Sequence, residues 1–247
     1  MFIDFDRFRY ELRLMGKRVI LTPILIMIGY LLFAILLRSL KVDPPRFLSS
    51  SLEMILPLAT AIIVSMTTSQ DPAIEVQLTV PRKYHQTVLG RLIIIACWTA
   101  CIALLSSIVL FATKLDFIPQ PITASWNAPQ VFFTGLLTWL GPLFWFVGVS
   151  FCLGLLVRSR SANAAILSGI WIVEILLKDY FAVTNWLHPV FLFPTTLLPL
   201  AGPIPQTYFD LWLSSRLEII ATGLILLPIG WLLLHNPEGL LKGAGEE

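Results

Sequence analysis

The stretch VILTPILIMIGYLLFAILL, Val19–Leu37, runs nineteen residues without a charge. At about 1.5 Å of rise per helical residue it matches a hydrocarbon core roughly 30 Å thick. Immediately ahead lie Arg7, Arg9, Arg13, Lys17 and Arg18, a cationic flank of the kind retained on the cytoplasmic side. The charged start and its full-length apolar continuation read as a retained first span, not a cleaved leader. This segment settles the solvent: the chain is expected to be a membrane protein, read through its spans and loops.

Working outward, five further apolar stretches follow. The six predicted spans are Val19–Leu37, Leu52–Thr67, Leu92–Ala112, Val131–Val157, Ala162–Leu177 and Leu217–Leu234. The second and fifth are short, and the fourth is long enough to tilt or bend at Gly141-Pro142. Composition agrees. Charged residues make up 13% of the 247 and apolar residues 57%, against about 25% charged in soluble proteins. The expected fold is an all-α polytopic membrane protein: a six-helix domain over residues 19–234 and a cytoplasmic tail over 235–247. The net charge of +2 is too small to argue for nucleic acid. Cys97, Cys101 and Cys152 lie within apolar stretches and read as small core residues, not disulfides or ligands.

Orientation follows from the cations. One set of connections, comprising the N-terminus, the second and fourth loops and the tail, holds eleven Lys and Arg; the other holds six. The positive-inside rule then puts both termini in the cytoplasm, with the plasma membrane as the expected location. Within residues 1–18, Phe2, Phe5, Phe8, Leu12 and Met15 recur at spacings of three and four, opposite Asp4, Arg7, Glu11 and Arg18. That pattern predicts an amphipathic helix lying in the membrane interface.

Two connections carry more than linkage. The loop over residues 68–91 leads into the third span as SQDPAIEVQLTVPRKYHQTVLGRL (Ser69–Leu92). Asp71 before Pro72 reads as a helix start, and Ile74 and Leu78, four apart, give a small apolar face. A helix this short is marginal alone in water, so a partner surface or the protein's own spans must support it. The connection from Lys178 to Arg216 is apolar but broken by Pro189, Pro194, Pro199, Pro203 and Pro205. It cannot form one span, and residues 187–205 read as a re-entrant or interfacial pair of helices at the outer face. Trp126, Trp186 and Trp212 are expected in the outer aromatic belt.

Chemistry is sparse. No GxxxxGK[ST] occurs, so the chain cannot hydrolyse ATP by that route. His85, His188 and His235 are far apart and show no HExxH or paired metal-ligand spacing. There is no GxSxG, and no histidine falls within a predicted span to serve as a base. The chain is therefore expected not to be an enzyme, with no cofactor or metal of its own. Glu174 is the carboxylate inside a predicted span, where a charge costs about 2.5–3.5 kcal/mol by insertion scales. It is either the partner of Lys178, four residues on, or a group on a transport path. Glu53 and Glu218 read as solvated boundary residues. Ser161, Ala162, Ala164, Ala165, Ser168 and Gly169 permit close helix contact within the subunit or between two. Phe144, Trp145, Phe146, Phe151 and Trp171 read as core, lipid-facing or cavity-lining residues.

This layout, with IEVQLTVPRKYHQTVLGRL as its most specific stretch, resembles the permease subunits of ABC-2-type transporters. The resemblance covers essentially the whole chain. It implies a transmembrane permease of an exporter, driven by ATP hydrolysed elsewhere. It further implies that residues 1–18 form a connecting helix carrying Phe5, Phe8 and Arg9. Ile74, Glu75 and Leu78 would be contacts of a coupling helix docked on an ATPase, with Pro81 and Arg82 at its exit. The implied partners are two cytoplasmic ABC ATPase subunits, which bind Mg-ATP, and a second permease, identical or related, with substrate passing between the permeases. The density of prolines over 189–205 departs from the family's pattern. A channel or non-catalytic scaffold, and an intramembrane enzyme, are the readings from other classes.

Overall fold

The computed structural model describes residues 15–40, 50–69, 84–113, 126–157, 159–197 and 206–234. Among these all regular structure is helical, without strands. Helix α1 spans Lys17–Ser39; a π-helical turn, Ser51–Ile55, runs directly into α2, Leu56–Ser69. Then come α3 (Tyr84–Ala112), α4 (Ala128–Val157), α5 (Arg160–Leu176) and the short α6 (Lys178–Val183). A 3-10 turn (Asn185–Val190), the four-residue α7 (Pro194–Leu197) and the long α8 (Gln206–Leu234) complete the order. Gly16, at φ 79°, occupies the left-handed region open to glycine and turns the chain into α1.

Five helical segments are long and apolar enough to cross a membrane: Lys17–Leu37, Ser51–Thr68, His85–Ala112, Ala128–Val157 and Trp212–Leu234. The expected fifth span exists as α5 but has only 17 residues, opens on the polar sequence Arg160–Ser161 and carries Glu174, so it does not join them. Two boundaries differ from the sequence reading in a way that matters. Helix α3 begins at Tyr84, so His85 and Arg91 are helical, and Arg91 is buried. Helix α8 begins at Gln206, eleven residues before the expected start, which puts Trp212 and Arg216 inside an apolar helix instead of a loop.

Helix α4 is the central element. Of its apolar window 67% is buried, against 22% for α1 and for α8, which turn most of their surface outward. It packs chiefly on α2 and α8. On one side Trp139, Leu143, Val147, Phe151 and Leu155, every fourth residue, meet Leu56, Ile63 and Val64 of α2 and Ile95 of α3. On the other, Trp145 and Phe146 meet Leu167 of α5, Ile219 of α8 and the connection before α8. The helix continues through Pro142.

Close approach of α4 and α8 depends on glycine. A Cβ at Gly223 would come within 2.7 Å of the Phe144 backbone, and one at Gly148 within 2.9 Å of the Gly223 carbonyl oxygen. Helices α4 and α8 thus meet backbone to backbone, as small residues permit. Among the described residues the small-residue face of α5 makes no such contact: Ser161 and Ala165 are exposed, and a Cβ on Gly169 would meet nothing within 4 Å. The buried face of α5 is instead Asn163, Leu167 and Glu174.

Candidate functional site

The site grows from the broken stretch between α5 and α8. Between the 3-10 turn and α7, Phe191, Leu192 and Phe193 are non-helical, yet their exposures are only 1%, 0% and 0%. Aromatic packing draws them in. Phe193 stacks on Phe146 of α4 (ring centroids 6.1 Å apart), and Phe191 on Phe181 of α6 (6.3 Å). A non-helical backbone so placed has no ladder to satisfy it, and each unpaired group away from water costs on the order of several kcal/mol.

Side chains from three helical segments supply the missing partners. The Leu192 N–H donates to both Glu174 carboxylate oxygens, at 3.2 Å each. The Leu192 carbonyl accepts from Arg216 Nη1 at 2.9 Å. The Thr195 N–H, in the first turn of α7, donates to Glu53 Oε1 at 3.0 Å. Glu53, 142 positions away in sequence, thereby serves as the cap that Phe193, preceding the helix, lacks. Pro194 opens that helix, where its missing N–H is no loss. Ser215 Oγ lies 3.3 Å from the carbonyl oxygens of both His188 and Phe191, fastening the 3-10 turn to α8.

Arg216 is the hub. Its Nη2 forms an ion pair with Glu53 and donates to Thr195 Oγ1 at 2.8 Å; neither partner of the ion pair is exposed. Trp212 Nε1 donates to the same Thr195 oxygen at 2.9 Å, and its ring lies 5.5 Å from the guanidinium carbon, a cation–π distance. Burying a charge in an apolar helix is tolerable only with partners of this kind. Two carboxylates and one guanidinium are therefore committed to holding a strip of backbone, Leu192–Thr195, inside the helix bundle.

Several expectations are corrected here. Glu174 does not pair with Lys178; its carboxylate faces the bundle and the Leu192 amide, because the face it shares with Asn163 and Leu167 is the buried one. Glu53 is not a solvated boundary residue but fully buried. Trp212 does not belong to an outer belt, being 4% exposed, whereas Trp186 is 74% exposed. Of the aromatics considered for a cavity, Trp145, Phe146 and Phe151 are buried core residues. The connecting-helix residues Phe5, Phe8 and Arg9, the coupling residues Ile74, Glu75, Leu78, Pro81 and Arg82, and the second half of the 187–205 segment lie outside the described residues.

Among the described residues no group of three His, Cys, Asp or Glu converges as metal ligands would. The cluster carries no nucleophile–base pair; what it does chemically is bind backbone. Sequence reasoning found Glu174 but missed Glu53, Thr195, Ser215 and Arg216. The available signal was the presence of opposite charges, Glu53 and Arg216, each at the edge of an apolar segment. Comparison with protein families, characterised proteins and solved structures gave no match.

Proposed function

We propose that this chain is the membrane-spanning permease subunit of an ATP-driven transporter, of the kind the ABC-2-type resemblance implies. In this reading α5 makes the sixth crossing and both termini are cytoplasmic. The buried cluster of Glu53, Glu174 and Arg216 then lies toward the outer face of the plasma membrane. Two separate ATPase subunits would bind Mg-ATP, and a second permease, a copy or a relative, would complete the pathway.

The observation that carries the reading is the tucked, non-helical Phe191–Phe193 strip anchored by charged side chains from three elements. Irregular backbone at membrane depth occurs where protein buries it or where it borders a water-filled path. A bundle whose only task was to sit in lipid would be more stable with an unbroken helix there. Exporter action places such an element over the substrate route between two permeases, and nucleotide-driven closure of the ATPases would be transmitted through the 68–91 loop.

The test is purification of the tagged full chain from its native membrane in mild detergent, with identification of what accompanies it and an assay of ATP hydrolysis. A co-purifying ATPase, lost on combining Glu75→Arg with Leu78→Asp while membrane insertion persists, is the expected result. A chain that purifies alone, without nucleotide-dependent activity, would replace this reading with a channel or scaffold.

A further inference from the structure

Glu53 sits in a turn of unusual shape, and the sequence explains the shape. In a regular α-helix the residue at 57 would donate its N–H to the Glu53 carbonyl. Residue 57 is proline: it has no N–H, and its ring would collide with that carbonyl. The helix responds by widening. Leu56 N–H reaches Ser51 O, five residues back, and Ser51–Ile55 forms a π-turn.

The widened turn spreads successive side chains around the axis. Leu52 joins the packing against α4 and α3, Met54 joins the second cluster beside Phe193, and Glu53 between them meets Arg216 and the Thr195 amide. Ser51, Leu52, Glu53 and Met54 are all buried. Tightening to the α register would move residues before Leu56 around the axis by up to about 100°, one residue's share of a 3.6-residue turn. Glu53 would then point away from Arg216, leaving the Thr195 N–H without its acceptor and Arg216 Nη2 with Thr195 Oγ1 but no carboxylate.

We propose that the Pro57-set π-turn is the lock of the 185–197 segment: its wide register aims Glu53 at Arg216 and Thr195, and a shift of register releases the segment from the bundle. Pro57 and Glu53 are its positioning residues, and Arg216 is the post they hold. That release opens a substrate route rests on the transport reading; the lock itself does not.

Ser215 is a reporter already in place, fully buried beneath the segment with its hydroxyl on His188 and Phe191. The experiment uses the full chain in lipid nanodiscs with Ser215→Cys, Cys97 and Cys101 replaced by alanine, and Cys152 retained. A water-soluble, membrane-impermeant maleimide reads the opening rate. The expected result is labelling at least ~10-fold faster in Glu53→Gln and in Pro57→Ala, since losing one member of a buried pair shifts a local opening by that much or more. The combined variant should label no faster than the faster single one, because both act on one contact. Cys152, buried in α4 with its thiol on the Leu226 carbonyl, should stay unlabelled throughout. Parental labelling in Pro57→Ala, multiplied effects in the combined variant, or Cys152 labelling in step with position 215 would each overturn the lock. Absence of a co-purifying ATPase would sink the transport reading while leaving these rates unchanged.

Discussion

Glu53 and Arg216, 163 positions apart in sequence, form an ion pair in which neither side chain is exposed. The pair ties the start of the α2 segment to α8 and, through Thr195 and Leu192, holds the broken strip between them.

A buried pair costs most when only one half is removed, because the other charge is left without a partner. Glu53→Gln or Arg216→Gln alone should lower stability by about 3–5 kcal/mol. Replacing both with apolar residues, Glu53→Leu with Arg216→Met, should recover part of that loss. The recovery will be incomplete, since the Thr195 amide and Leu192 carbonyl still lose their partners. Thermal and denaturant unfolding of the parent, Glu53→Leu, Arg216→Met and the double variant in one detergent measures the coupling. Additive losses would show that the two charges are not working as a pair.

Glu174 gives a discriminating comparison. Glu174→Gln keeps an acceptor for the Leu192 N–H and should cost little. Glu174→Leu leaves that amide unpaired and should cost about 1–3 kcal/mol. Lys178→Gln should do nothing measurable, since the carboxylate is turned to Leu192. Equal losses from Lys178→Gln and Glu174→Leu would restore the simple i, i+4 ion pair.

How much of this was legible in the sequence depends on the range of the interaction. Apolar runs such as Val19–Leu37 announce themselves because span length is a local property. The proline-broken stretch before α8 was also legible, since Pro189 and Pro194 forbid a continuous helix locally. What could not be read was where that stretch goes. The partners of Leu192 and Thr195 lie 18 positions (Glu174) and 142 positions (Glu53) earlier and, for Arg216, 24 and 21 positions later, and no local pattern assigns Glu53 to Thr195 or Arg216 to Leu192. Span edges misled for a related reason. Arg216 looks like a loop residue because charge ends an apolar window, yet a charge with buried partners is compatible with helix interior. The π-turn was hidden although its cause, Pro57, was in plain view: proline in the first turn of a helix is ordinarily harmless, and only the helical residues before it make it a constraint.

Trp212 separates two contributions to the arginine's environment. Trp212→Phe retains an aromatic ring near the guanidinium but removes the indole N–H that donates to Thr195 Oγ1. That hydroxyl still receives Arg216 Nη2, so the loss should be modest, about 0.5–1.5 kcal/mol. Trp212→Leu removes the ring as well and should cost about 0.5–2 kcal/mol more, for the cation–π contact at a desolvated site. Equal melting temperatures for the two variants would show that the ring face contributes nothing.

Two glycines make opposite predictions. At Gly223 an added Cβ would lie 2.7 Å from the Phe144 carbonyl carbon and 2.8 Å from the Trp145 nitrogen, both backbone atoms that cannot rotate aside. Gly223→Ala must therefore separate α8 from α4, the most extensive helix pairing among the described residues, and should lower stability by about 1–3 kcal/mol, the range for overpacking. At Gly169 a Cβ would meet nothing within 4 Å among the described residues. Gly169→Ala should be neutral within the chain, or stabilising by up to about 1 kcal/mol through helix propensity. Unfolding of the two variants side by side decides the matter, because the substitution is chemically identical and only the neighbours differ. A destabilised Gly169→Ala beside an unchanged Gly223→Ala would mean that α5, and not the α4–α8 pair, carries the closest helix contact of this bundle.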